Sequence, residues 1–174
     1  MISILMHKIL ERLPSSIHRL NVIIDYAHTP DALDKVLSTL RSLAPERELI
    51  CLFGCTGDRD RTKRPEMAEI SENLADKIFV TADDNRGEPI EDIMEDIRKG
   101  FSDSGLVKVS FILDRKEAII TSILSASANA MILLAGKGHE NFLIDGNNRT
   151  PFSEKEIVKE AFNIISTPSF REKY

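Results

Sequence analysis

Short apolar runs alternate with stretches of helical apolar spacing along nearly the whole chain, and this alternation constrains the fold more than any other feature. Val22–Ile24, Leu49–Phe53, Lys77–Thr81, Val107–Leu113 and Ala130–Ala135 read as strands. Pro30–Leu43, Pro65–Leu74, Pro89–Phe101 and Arg115–Ala128 read as the helices between them. In the first, Leu33, Val36, Leu37 and Leu40 recur at helical spacing, and Pro30 suits a first turn. Ala130–Ala135 is continuously apolar, the pattern of a strand covered on both faces. The alternation predicts an α/β fold: a mostly parallel sheet of about five strands, right-handed crossovers and flanking helices. Phe142–Ile144 and Arg149–Phe152 flank a D-G-N-N turn, so a late antiparallel hairpin is expected, a candidate edge for the sheet. Ser153 with Glu156 three residues on forms a capping-box pattern that opens a last helix.

At 174 residues the chain suits one Rossmann-like domain. Its expected extent is 21–166, after a lead-in segment (1–20) and before a tail (167–174). The 23 basic and 28 acidic residues leave a charge of -5, which argues against a protein dominated by nucleic-acid backbone binding. Cys51 and Cys55 are too few for a disulfide scaffold, and no second Cys or His pair completes a metal site with them. No apolar run is long enough to span a membrane, and the start lacks a signal-peptide pattern. These features predict an intracellular protein with no membrane insertion.

In an open α/β sheet, ligands bind beyond the carboxyl ends of the strands. Four polar clusters fall there: Asp25–Pro30, Gly54–Arg61, Asp83–Pro89 and Gly136–Glu140. Each has a plain reading and a functional one. Asp25 favours the positive end of the helix that follows, or accepts hydrogen bonds from ribose hydroxyls. His28 is a surface histidine, or packs its ring on a base. Thr29 is first an N-cap and second a phosphate contact. Arg59, between Asp58 and Asp60, is self-satisfied in its loop, or offers a planar fork to a carboxylate. Arg86 has the same two readings, and Lys63 and Arg64 read as solvated. Gly136-Lys137-Gly138-His139-Glu140 is no P-loop, because glycine follows the lysine. Its glycines permit close backbone approach, and Glu140 suits a ligand ammonium group.

Taken in order, D-Y-A-H-T-P (Asp25–Pro30), F-G-C-T-G-D-R-D (Phe53–Asp60), K-R-P (Lys63–Pro65) and A-G-K-G-H-E (Ala135–Glu140) resemble the C-terminal domain of Mur ligases. The branch most similar adds diaminopimelate to a UDP-N-acetylmuramoyl dipeptide in peptidoglycan synthesis. The resemblance implies an ATP- and Mg2+-dependent amide ligase working through an acyl phosphate. It implies that Asp25, His28 and Thr29 face the nucleotide, and that Arg59, Gly136 and Glu140 hold diaminopimelate. The recognition loop, Asp83-Asp84-Asn85-Arg86, stands where the branch has D-N-P-R. Arg86 is retained for the distal carboxylate that lysine lacks, while the proline and its fixed φ are lost. Thr56 replaces a usual glycine. Upstream, Glu11 aligns with the glutamate of G-R-x-E, but Lys8 and Ile9 stand in place of its glycine and arginine.

The sequence contains no G-K-T or G-K-S P-loop and none of the UDP-binding or magnesium-binding segments of such ligases. No catalytic residue and no metal ligand is assigned to it. The resemblance therefore implies a domain active only with the missing parts, supplied by the same protein or by a separate partner chain. A non-catalytic amino-acid- or nucleotide-binding module is the alternative.

Overall fold

A computed structural model describes residues 9–12 and 20–167, and the expected tail beyond Thr167 and most of the lead-in lie outside the described residues. The main sheet has six strands: β1 (Ile9–Arg12), β2 (Asn21–Asp25), β3 (Leu49–Phe53), β4 (Lys77–Val80), β5 (Val109–Phe111) and β6 (Met131–Ala135). They lie in the order β1-β2-β6-β3-β4-β5. All neighbours pair in parallel except β1, which runs antiparallel to β2 with Ile9 opposite Ile24 and Arg12 opposite Asn21. The helices are α1 (Pro30–Leu43), α2 (Lys63–Leu74), α3 (Ile90–Arg98), α4 (Arg115–Leu124) and α5 (Glu154–Ser166). Strands β7 (Phe142–Asp145) and β8 (Asn148–Pro151) form the expected hairpin.

Strand side chains alternate between two cores. Ile23, Cys51, Phe53, Ile78, Val80 and Leu133 pack with Leu33, Val36 and Leu37 of α1, Met67 of α2 and Ile93 of α3. Val22, Ile24, Ile50, Leu52, Phe79, Ile132 and Leu134 pack with Ile119 of α4 and Val158 and Phe162 of α5. The chain steps from β2 through β3 and β4 to β5, then doubles back to β6 between β2 and β3. With crossovers of one hand, reversing the direction puts the returning helix on the other face. The loops beyond β2 and β3 therefore part from the loop beyond β6, which opens a crevice at the carboxyl edge.

Several boundaries differ from the sequence reading for local reasons. Helix α2 starts at Lys63, ahead of Pro65, because first-turn amides need no helical acceptor. Helix α3 is confined to Ile90–Arg98, with Pro89 as its cap. Strand β5 keeps three residues, since Gly105–Lys108 forms a 3-10 turn. The β7–β8 hairpin does not extend the main sheet; it stands as its own two-stranded sheet, and β1 supplies the antiparallel edge.

One buried pair ties the two layers to the carboxyl edge. Arg115, at the start of α4, donates to Glu154 Oε1 through Nε (3.0 Å) and Nη2 (2.8 Å). It also donates to the carbonyls of Ala82 and Ala135, each at 2.9 Å. Both side chains are almost wholly buried, and burial raises the Glu154 pKa despite the arginine beside it. Arg115→Met alone strands a buried carboxylate and is expected to cost about 3–5 kcal/mol in urea unfolding, whereas Arg115→Met with Glu154→Gln should recover a large part of that loss.

Candidate functional site

The loops leaving β2, β3, β4 and β6 enclose a cleft of about 470 Å³. The first loop begins at Asp25, which is 3% exposed and accepts the Ala27 amide on Oδ1 at 3.0 Å. This local turn sends Tyr26 outward and keeps Asp25 beneath the cleft, outside its lining. His28 Nδ1 lies 2.8 Å from the Tyr26 carbonyl. A carbonyl only accepts, so Nδ1 carries the hydrogen, and in the neutral ring Nε2 is the acceptor. The His28 ring meets Tyr26 edge-on at 4.6 Å, and the His139 ring lies 5.5 Å from that of Tyr26. Thr29 caps α1, its hydroxyl accepting the Ala32 amide at 3.3 Å.

The second loop is stitched to the third. The Gly57 amide donates to the Asp84 carbonyl at 2.9 Å, and a Cβ on Gly57 would sit 2.0 Å from the Asn85 oxygen, so only glycine fits. Asp58 accepts the Gly87 amide at 3.0 Å. Asp60 accepts from the amide and hydroxyl of Thr62 at 2.9 and 2.7 Å. The acids flanking Arg59 are thus engaged by the loops themselves. Arg59 is exposed on the cleft wall and, among the described residues, pairs with no carboxylate.

Lys63 and Arg64 do not behave as the solvated residues that the sequence suggested. Lys63 lines the cleft and donates to the His28 carbonyl at 3.0 Å. Arg64 is fully buried and grips Glu88 with both ends of its fork, at 2.8 and 2.7 Å. It also reaches Asp96 at 2.9 Å, and Arg61 adds a further contact to Glu88. The α2 first turn lies under the recognition loop, where charge is tolerated only when paired. The Arg64 fork is the main cause holding the Glu88 carboxyl down to about 2, against the opposing effect of its burial.

The recognition loop faces two ways. Asp83, Asp84 and Arg86 line the cleft, and Asn85 does not. Asp84 Oδ1 accepts Lys137 Nζ at 2.7 Å and the Ile144 amide at 2.9 Å. Asp83 Oδ1 accepts the Asp84 amide at 2.7 Å. Arg86 adopts φ +53, and its Nε is shielded from solvent with no hydrogen-bond partner. Gly136 (φ +116) and Gly138 (φ +54) turn the last loop back across the site. Between them Lys137, fully buried, lies 2.8 Å from Glu140 Oε2. Burial opposes its charge, but the hydrogen bonds to Asp84 and Glu140 prevail and raise its pKa. Lys137 was missed in the sequence, although a lysine between two glycines at the end of a buried strand was the available signal.

Eight of the ten candidate residues share this cleft: His28, Thr29, Arg59, Asp83, Asp84, Arg86, Gly136 and Glu140. Arg59, Lys63 and Arg86 supply positive charge, and Asp83, Asp84 and Glu140 supply negative charge around Lys137. Planar guanidinium forks match carboxylates, and a carboxylate matches an ammonium group. Among the described residues no group of three or more His, Cys, Asp and Glu is placed to hold a metal ion. Burial pushes the thiols of Cys51 and Cys55 up to about 12. No helix among the described residues is long and apolar enough to cross a membrane.

The family described as "Mur ligase, glutamate ligase domain" matches residues 10–138. A Pseudomonas aeruginosa protein named UDP-N-acetylmuramoyl-L-alanyl-D-glutamate–2,6-diaminopimelate ligase is 50% identical over 147 residues, covering 84% of this chain and 30% of its own length. A Leptospira interrogans protein of the same name is 45% identical over 143 residues, covering 82% of this chain and 28% of its own. A solved structure of a ligase of that name superposes with a TM-score of 0.84 at 35% identity, over 96% of this chain and 33% of the other. A murein peptide ligase from Psychrobacter arcticus, at 16% identity and a TM-score of 0.63, shares the fold.

Glu88 has a folded pKa below its ordinary 4.5. Its contribution to stability is therefore present above about pH 4.5 and is lost as pH falls toward about 2, a span worth about 3 kcal/mol. Urea unfolding between pH 6 and pH 2 should show this loss, and Glu88→Gln should be less stable at pH 6 with a shallower acid slope.

Proposed function

The chain belongs to the Mur ligase, glutamate ligase domain family, and on that premise we propose that it forms the amino-acid-selecting wall of a ligase that adds diaminopimelate to UDP-N-acetylmuramoyl-L-alanyl-D-glutamate. The observation that carries this reading is the cleft lining, which brings Arg59 and Arg86, neither paired with a carboxylate among the described residues, together with Glu140. Such a cleft suits an amino acid bearing two carboxylates and an ammonium group. In this reading Arg59 receives one carboxylate and Arg86 the distal one. Glu140 and the backbone at Gly136 receive the amino-acid end. Asp83, Asp84 and Asn85 shape the loop between them. The names of the aligned relatives support the same substrate class.

The chain spans about 30% of the length of the relatives it matches. The complete ligase would therefore include further domains, on the same protein or on a partner chain, that bind the UDP-linked dipeptide. ATP and Mg2+, held by those domains, would supply the activated carboxylate as an acyl phosphate, with ADP released. This chain contributes the placement of the attacking amine, whose bond to the acyl carbon forms as phosphate leaves. His28, with Nε2 as acceptor in the neutral ring, and the Thr29 end of α1 would face the nucleotide. Asp25 supports that loop from below, its Oδ1 accepting the Ala27 amide, and would approach the ribose on closure. The place of work would be the cytoplasm.

Mixing the chain with the UDP-binding and ATPase domains of a relative should restore ATP-dependent addition of diaminopimelate. Arg86→Ala should raise KM for diaminopimelate about 10- to 100-fold and erode the preference over lysine. A folded chain that fails to restore addition overturns the proposal. Tight binding of diaminopimelate by the chain alone, without ATP or the other domains, would favour a non-catalytic binding module.

A further inference from the structure

Arg86 occupies a left-handed backbone conformation (φ +53) without being glycine. Such a residue carries backbone strain and persists only where its surroundings over-determine it. No proline or glycine fixes the chain at Asn85 or Arg86, so the restraint has to come from elsewhere. On one side the Gly87 amide is held by Asp58 at 3.0 Å. On the other side lies the β7–β8 hairpin, and it meets the loop at three successive residues. Asp84 Oδ1 takes the Ile144 amide at 2.9 Å. Asn85 Nδ2 donates to Asp145 Oδ1 at 2.9 Å. Arg86 itself forms a parallel β-bridge with Asp145. The turn that follows is in ordinary contact with the loop, a Cβ on Gly146 lying 3.6 Å from the Arg86 carbonyl oxygen.

The hairpin has no place in the main sheet, and Asp145 is exposed and outside the cleft lining. Its contacts with the loop therefore go beyond what the packing of the sheet requires. Arg86 Nε meanwhile is shielded and unpartnered, so the side chain is not held by an internal acceptor at that atom. Its aim depends on the backbone that carries it.

We propose that Asp145, at the tip of the hairpin, is a positioning residue that holds Arg86 in its left-handed conformation and so sets selectivity for an amino acid with a second carboxylate. The selectivity half rests on the function proposed above; the positioning half does not. Pre-organisation lowers the cost of binding without adding a contact to the ligand. A residue acting this way changes affinity from a place the substrate never touches.

Two measurements test this. On the chain alone, backbone NMR reads the Arg86 φ from its HN–Hα coupling and its order from 15N relaxation. Asp145→Ala should lose the left-handed coupling and lower the order at Arg86, while Asp145→Asn, which keeps an acceptor for Asn85, should retain both. An unchanged Arg86 in Asp145→Ala overturns the proposal. In the ligase assembled with its further domains, Asp145→Ala should raise KM for diaminopimelate about ten-fold, more than it alters kcat, with Asp145→Asn restoring KM. A wild-type KM in Asp145→Ala overturns the selectivity half. If the assembled wild-type ligase adds no diaminopimelate, the function proposed above fails, and the NMR result alone decides whether Asp145 holds Arg86.

Discussion

Charge buried under the carboxyl edge of the sheet has to be neutralised where it lies. Arg64 and Lys137 are fully buried, and Arg115 is 2% exposed. An unpaired cation in such a place costs several kcal/mol, so each must meet a carboxylate brought from another part of the chain. Arg64 takes Glu88 and Asp96, Arg115 takes Glu154, and Lys137 takes Asp84 and Glu140. Apart from Lys137 with Glu140, three residues apart in one loop, each pairing joins segments that local sequence does not link. Together they decide how the loops above the sheet sit against one another.

This neutralisation divides the cations of the edge into two groups. Arg64, Arg115 and Lys137 are paired with carboxylates inside, whereas Arg59 and Arg86 line the cleft and, among the described residues, pair with none. The acids follow the same division. Asp58 and Asp60 serve loop amides, and Glu88 serves Arg64, so they do not quench the cleft arginines. A cleft lined by arginines without carboxylate partners thus arises in a chain whose net charge is -5, because local pairing, not overall charge, determines which groups remain available.

The regular elements were legible because their signals are local. Helix α1 and strand β3 match the sequence reading residue for residue, since apolar periodicity and a first-turn proline specify them without help from the rest of the chain. The hairpin was legible from its turn residues, but its placement apart from the main sheet was not. Most of the candidate residues do meet at one cleft, as strand-end loops of a parallel sheet must. Arg64 was misjudged because nothing near it in the sequence announces Glu88, which lies beyond a whole strand. Nothing near Lys137 announces Asp84 and Asp83 either, since they come from a different strand end. Asp84 read as a substrate contact, yet its Oδ1 is shared by Lys137 and Ile144.

By itself the sequence determined the layered α/β architecture, the edge of the sheet where polar residues gather and the family resemblance carried by four ordered motifs. These depend on periodicity and on residue type at short spacing, which act within one element. Only the tertiary structure decided which charges are spent on one another and which remain for a ligand. That choice depends on burial and on distances of a few ångströms between loops remote in sequence, and Coulombic pairing in a buried site follows those distances rather than position along the chain.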